Sequence, residues 1–100
     1  MEQALIPMAR PSWNNEMREA AIQTLDSGRW VKGPHSKNFG QEFADYIGVP
    51  VASPCQSGTA SLWASLRVLD IGEGDEVIVP SMTFISTATS VSLVGAKPVF

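Results

Sequence analysis

The 100-residue sequence is 44% hydrophobic and 17% charged, a balance that supports a folded core and argues against a disordered chain. A formal net charge of -3, with the seven Lys and Arg residues scattered singly, argues against nucleic-acid binding. The single cysteine allows no internal disulfide and suits the reducing cytoplasm. The sequence has no signal-peptide pattern and no apolar run of membrane-spanning length. We therefore expect a cytoplasmic protein without membrane partners, and we expect no metal site.

Two helices are predicted in the first half of the chain, after an extended lead-in over residues 1–11. In the first helix, apolar residues recur at helical spacing from Trp13 to Leu25, with Ser12 as the candidate N-cap. Gly28 follows the last apolar position, as is usual at a helix C-terminus.

The second predicted helix has Ser36 as its N-cap and ends at Gly48. An apolar run over residues 49–53 then has the composition of a short strand. We therefore expect residues 1–48 to form a lead-in with two helices, and residues 49–100 to form the first part of an α/β domain.

From residue 49 onward the predicted elements alternate strand, helix, strand, helix, strand. The helices are expected at about 57–69 and 83–93, and the later strands at 77–80 and from Lys97. The run VIVP at 77–80 does not alternate, which favours a strand buried on both faces. Such an alternation is typical of an α/β fold with a largely parallel sheet flanked by helices. Three strands are too few to complete that sheet, so we expect an N-terminal piece of a longer protein.

The stretch PCQSGTASLW, residues 54–63, places Ser57, Gly58 and Thr59 at the predicted start of a helix. A helix N-terminus presents unpaired N–H groups and a partial positive charge, and Gly58 would let a phosphate approach that backbone. The alternative is that Ser57 only caps the helix and Gly58 is tolerated there. Local sequence alone favours this simpler alternative, because no lysine or glycine pattern of a known phosphate loop accompanies the stretch.

Phe84 follows the predicted strand at 77–80. Because ligands bind at the carboxyl ends of strands in α/β sheets, Phe84 would lie near the same edge as Gly58. An aromatic face beside a phosphate site suits a flat, phosphorylated ring. The alternative is that Phe84 is an ordinary core residue, which is the commoner fate of a phenylalanine.

Six segments in this order resemble one known family: IPMARP, LDSGRWVKGP, FADYIGV, SGTASL, IGEGDEVIVPSMTF and VGAKPVF. Each is weak alone, but their order and spacing are specific. The chain resembles the N-terminal quarter of the pyridoxal-phosphate-dependent sugar aminotransferases of the DegT/DnrJ/EryC1/StrS family. This resemblance implies the start of the large domain of a fold-type I, aspartate aminotransferase-like enzyme that acts as a homodimer.

The resemblance also assigns site residues. The family's phosphate-binding pair falls on Gly58 and Thr59, and the aromatic residue that stacks on the pyridine ring falls on Phe84. Trp30 could stack on a sugar or base, or cover a hydrophobic edge, and the sequence leaves both open. The positions that line the sugar-nucleotide side in relatives correspond here to Met8, Gly28, Arg29, Trp30 and Val31.

No catalytic residue is assigned within the chain. The chemistry needs a lysine that binds the cofactor covalently and moves protons, and a carboxylate on the pyridine nitrogen. The resemblance places both beyond Phe100, and Lys32, Lys37 and Lys97 do not match the motif of that lysine. The 100 residues alone are therefore not expected to be active.

The activity implied by the resemblance is transfer of an amino group from glutamate or glutamine to a nucleotide-linked keto sugar, in aminosugar biosynthesis for polysaccharides or antibiotics. Two alternatives stay open. One is a sugar dehydratase of the same family, in which His replaces the catalytic lysine. The other is a non-catalytic regulator that keeps the fold. The residue at the lysine position would distinguish these classes of protein.

Overall fold

The computed structural model describes residues 6–100, which divide into two compact units. The first unit ends at Pro50 and the second runs from Val51 to Phe100. This division reflects packing alone, so the start of a cofactor-binding domain at residue 49 stays a prediction. None of the helices in residues 6–100 is both long and apolar enough to cross a bilayer.

The first helix, α1, spans Asn15–Asp26, and its N-cap is Asn14 rather than the predicted Ser12. The Asn14 side chain accepts a hydrogen bond from the N–H of Met17 at 2.8 Å, so it satisfies one of the unpaired donors of the first turn. The predicted cap was therefore wrong by two residues. Gly28 follows the helix with a φ of 63°, a left-handed conformation that glycine adopts at little cost, as predicted for this end.

The second helix, α2, spans Pro34–Ile47 and starts earlier than predicted. Gly33 is the N-cap, and the proline in the first turn costs no hydrogen bond because that N–H would be unpaired anyway. Ser36 consequently lies inside the helix, so its assignment as the cap was wrong. Gly48 ends the helix with a φ of 81°, as predicted, and its N–H donates to the carbonyl of Ala44 at 2.9 Å.

From α3 onward, the second unit has the predicted alternation of helix, strand, helix and strand. Its elements are α3 (Gly58–Val68), β1 (Glu76–Ile78), α4 (Ser86–Leu93) and β2 (Lys97–Val99). The two strands pair in parallel, with Val77 opposite Pro98, and α4 connects them. The prediction of an α/β fold with a parallel sheet is therefore confirmed, although α4 begins at Ser86 rather than near residue 83.

The core of the second unit lies where α4 packs against α3 and β2. Its buried side chains are three valines and one alanine. They are Val79, Val91, Val94 and Ala96, with Leu66, Ile71, Val77 and Ala88 packed against them.

Two predictions about strands were wrong within the described residues. Residues 49–53 form no strand, and Val51 is 76% exposed. A strand needs a hydrogen-bonded neighbour, and residues 49–53 pair with neither β1 nor β2. The run at 77–80 is not buried on both faces either, because Ile78 is 86% exposed while Val79 is buried.

Candidate functional site

The first turn of α3 is capped by a side chain and leaves two backbone N–H groups unpaired. Ser57 is its N-cap in an extended conformation, and its Oγ accepts from the N–H of Ala60 at 3.2 Å. The N–H of Ser61 donates to the Ser57 carbonyl at 3.1 Å. The N–H groups of Gly58 and Thr59 have no acceptor among residues 6–100, as expected for the first two positions of a helix. Two adjacent donors and the positive end of the helix dipole thus remain available to an anion.

Gly58 is explained by neither packing nor backbone conformation. A Cβ added at this position would meet nothing within 4 Å, and Gly58 is not among the residues with positive φ. The glycine leaves the turn without a Cβ beside its two unpaired N–H groups. Because Ser57 caps the helix while these donors stay free, the capping and anion-binding interpretations do not exclude each other.

Phe84 lies in the segment between β1 and α4, and its side chain is 75% exposed. Residues 6–100 therefore do not bury the Phe84 ring. Farther along, α4 contacts α3 through Ser90, whose Oγ lies 3.4 Å from the carbonyl oxygen of Thr59. Ser86, the first residue of α4, precedes Ser90 by about 6 Å along the helix axis. The segment that carries Phe84 thus enters the helix that packs on the first turn of α3.

The loop after α1 belongs to the first unit, whereas Gly58, Thr59 and Phe84 belong to the second. Its conformation is held by side-chain hydrogen bonds: the N–H of Arg29 donates to Ser27 Oγ at 3.1 Å, and Trp30 Nε1 donates to the carbonyl of Leu25 at 3.2 Å. The Trp30 side chain is nevertheless 71% exposed, so its ring is oriented without being buried. The other predicted substrate residues are exposed as well, namely Met8, Gly28, Arg29 and Val31.

An open cleft of about 610 Å³ lies between the segment at 51–55 and α3, within the second unit. Its lining includes Val51, Val68 and the exposed free Cys55, and it contains no charged side chain. Residues 6–100 hold no group of three His, Cys, Asp or Glu side chains that could bind a metal ion. Neither the cleft nor a metal-binding cluster therefore competes with the start of α3 as a candidate site within the described part of the second unit.

Comparison with known proteins identifies the class. The sequence profile of the DegT/DnrJ/EryC1/StrS aminotransferase family matches residues 11–100, and the chain belongs to this family. It is 43% identical over 88 residues to L-glutamine:2-deoxy-scyllo-inosose aminotransferase of Streptomyces fradiae. This alignment covers 81% of this chain and 21% of that protein. It is 41% identical over 96 residues to GDP-perosamine synthase of Caulobacter vibrioides, and this alignment covers 94% of this chain and 26% of that protein.

Solved structures agree with this assignment. Spr1654 from Streptococcus pneumoniae in its PLP form superposes with a TM-score of 0.85 at 37% identity, over 94% of this chain and 24% of that one. An aminotransferase from Psychrobacter cryohalolentis gives a TM-score of 0.83 at 37% identity, over 94% and 25% of the two chains. The chain thus spans about a quarter of the length of the relatives it matches.

Proposed function

We propose that the full-length protein is a pyridoxal-phosphate-dependent aminotransferase that moves an amino group from glutamate or glutamine to a nucleotide-linked keto sugar. The observation that carries the proposal is the open first turn of α3, where Gly58 and Thr59 present free N–H groups. Membership of the aminotransferase family supports the reaction type. The relatives' names support the substrates, since they include a UDP-linked amino sugar with oxoglutarate, GDP-perosamine, and L-glutamine as a donor.

The residues of the second unit fit the phosphate and ring of this cofactor. When bound, pyridoxal phosphate supplies an electron sink that allows an amino group to be exchanged. The N–H groups of Gly58 and Thr59 would donate to phosphate oxygens, and the hydroxyls of Ser57 and Thr59 would add two further donors. Phe84 offers an exposed, flat face for the ring. These residues would bind and orient the cofactor, and the family resemblance assigns the proton transfers to a lysine whose motif no residue of this chain matches.

The substrate side and the assembly are further parts of the proposal. Trp30 is oriented by its bond to Leu25 while its ring stays exposed, which suits stacking on a sugar or base. The exposed residues Met8, Gly28, Arg29 and Val31 are proposed to line the sugar-nucleotide side with it. A homodimer follows from the family resemblance, and a cytoplasmic location is consistent with the single free cysteine.

The proposed function is tested with the full-length protein in two half-reactions. We expect it to retain pyridoxal phosphate through gel filtration, and glutamate or glutamine to convert the cofactor to its amine form, as followed by absorbance. A nucleotide-linked keto sugar should then restore the spectrum and yield the amino sugar, detected by mass spectrometry. Loss of a sugar hydroxyl without donor consumption would instead identify a dehydratase, and cofactor retention without any transfer would favour a non-catalytic regulator.

Replacement of Phe84 tests the stacking role. An aromatic pair contributes about 0.5–1.5 kcal/mol beyond area burial, so Phe84→Ala should weaken pyridoxal phosphate binding about two- to twelvefold at 1.4 kcal/mol per tenfold. Phe84→Tyr and Phe84→Trp should retain most of the affinity because they keep a flat face. The deciding measurements are the cofactor dissociation constant and the thermal unfolding of each Phe84 variant. A folded Phe84→Leu variant with unchanged affinity would show that the ring does not stack.

A further inference from the structure

Ser90 is a polar side chain with 0% exposure at the contact between α3 and α4. Its Oγ lies 2.7 Å from the carbonyl oxygen of Ser86 in its own helix and 3.4 Å from the carbonyl oxygen of Thr59 in α3. A serine hydroxyl has one proton, so the two carbonyls share it in a three-centre hydrogen bond, with the stronger arm to Ser86. The weaker arm is a direct polar link from α4 to the first turn of α3.

This link continues through the peptide backbone of α3. The Thr59 carbonyl and the Ala60 N–H belong to the same peptide group, and that N–H donates to Ser57 Oγ at 3.2 Å. Hydrogen bonds in such a chain polarise one another, so a donor on the carbonyl strengthens the N–H at the other end of the group. Because Ser57 Oγ accepts this bond, its own hydroxyl proton is free to donate to a ligand.

We propose that Ser90 is a positioning residue for the cofactor phosphate. It acts through Thr59 and Ala60 to hold the first turn of α3 and to orient the Ser57 hydroxyl toward the phosphate. The proposal rests on the proposed function, because it takes the anion at Gly58 and Thr59 to be that phosphate. Ser90 does not contact the cofactor. Its effect is therefore confined to how strongly the first turn of α3 donates hydrogen bonds to the phosphate.

The test compares Ser90→Ala with the matched control Ser92→Ala in the full-length protein. Ser92 is exposed on the same helix, and its Oγ lies 3.4 Å from the carbonyl oxygen of Ala88, without a link to α3. Dissociation constants are measured for pyridoxal phosphate and for pyridoxal, which lacks the phosphate. Ser90→Ala removes both arms of this hydrogen bond. Loss of the arm to Thr59 should lower its affinity for pyridoxal phosphate about two- to fivefold. Its affinity for pyridoxal, and both affinities of Ser92→Ala, should be unchanged.

The two ligands separate positioning from a general structural effect. A variant that merely loosened the fold would lose affinity for both ligands equally, and that result would overturn the role of Ser90. Unchanged affinity for pyridoxal phosphate in Ser90→Ala would overturn it as well. If the unmodified protein bound pyridoxal as tightly as pyridoxal phosphate, the proposed phosphate site itself would be wrong, whatever the Ser90 variant did.

Discussion

Gly58→Glu is expected to weaken binding of pyridoxal phosphate to the full-length protein at least a hundredfold while the fold stays intact. The new carboxylate would stand in front of the N–H groups that are free in the first turn of α3. Two unit charges 4 Å apart repel by about 4 kcal/mol at an effective dielectric constant of 20, and a hundredfold loss needs only about 2.8 kcal/mol.

The fold should tolerate this charge. A Cβ at Gly58 meets nothing within 4 Å, and a carboxylate in the first turn of a helix is stabilising by about 0.3–1 kcal/mol. Thermal unfolding without cofactor should therefore be unchanged or slightly higher, which separates a lost binding site from a damaged protein. Gly58→Ala is the uncharged control, and it should lose far less affinity. If Gly58→Glu bound the cofactor normally, the phosphate would have to lie elsewhere.

Val91→Asp is expected to destabilise the protein by about 3–5 kcal/mol, because it places an unpaired carboxylate in the core. Val91 is 2% exposed and packs where α4 meets the rest of the second unit. The neighbouring Ser92 is exposed, so Ser92→Asp is the matched control with the same added charge. The free energy of unfolding is measured by denaturant titration of the full-length protein.

Val91→Ala provides a milder companion if Val91→Asp proves insoluble. Burial of a valine side chain contributes about 1.5–3 kcal/mol, and the alanine variant should lose much of it. Equal effects of Val91→Asp and Ser92→Asp would show that α4 does not present Val91 to a core.

Features that depend on neighbours along the chain could be predicted from the residues. Gly28 and Gly48 mark helix ends because the left-handed conformation there suits glycine, and Ser57 caps α3 because its side chain reaches an N–H three residues ahead. The N-cap of α1 was nevertheless predicted wrongly as Ser12 instead of Asn14. Both residue types can cap a helix, and the register of the first turn decides which one does.

Features that depend on a partner distant in the sequence were decided by the tertiary structure. The run at 49–53 has strand composition, but a strand exists only where another strand offers hydrogen bonds, and residues 49–53 pair with neither β1 nor β2. Ser90 carried no signal in the sequence, since only the packing of α4 on α3 brings its hydroxyl to the carbonyl of Thr59. Short-range hydrogen bonds and backbone preferences are encoded locally, whereas burial and strand pairing depend on which surfaces the folded chain brings together.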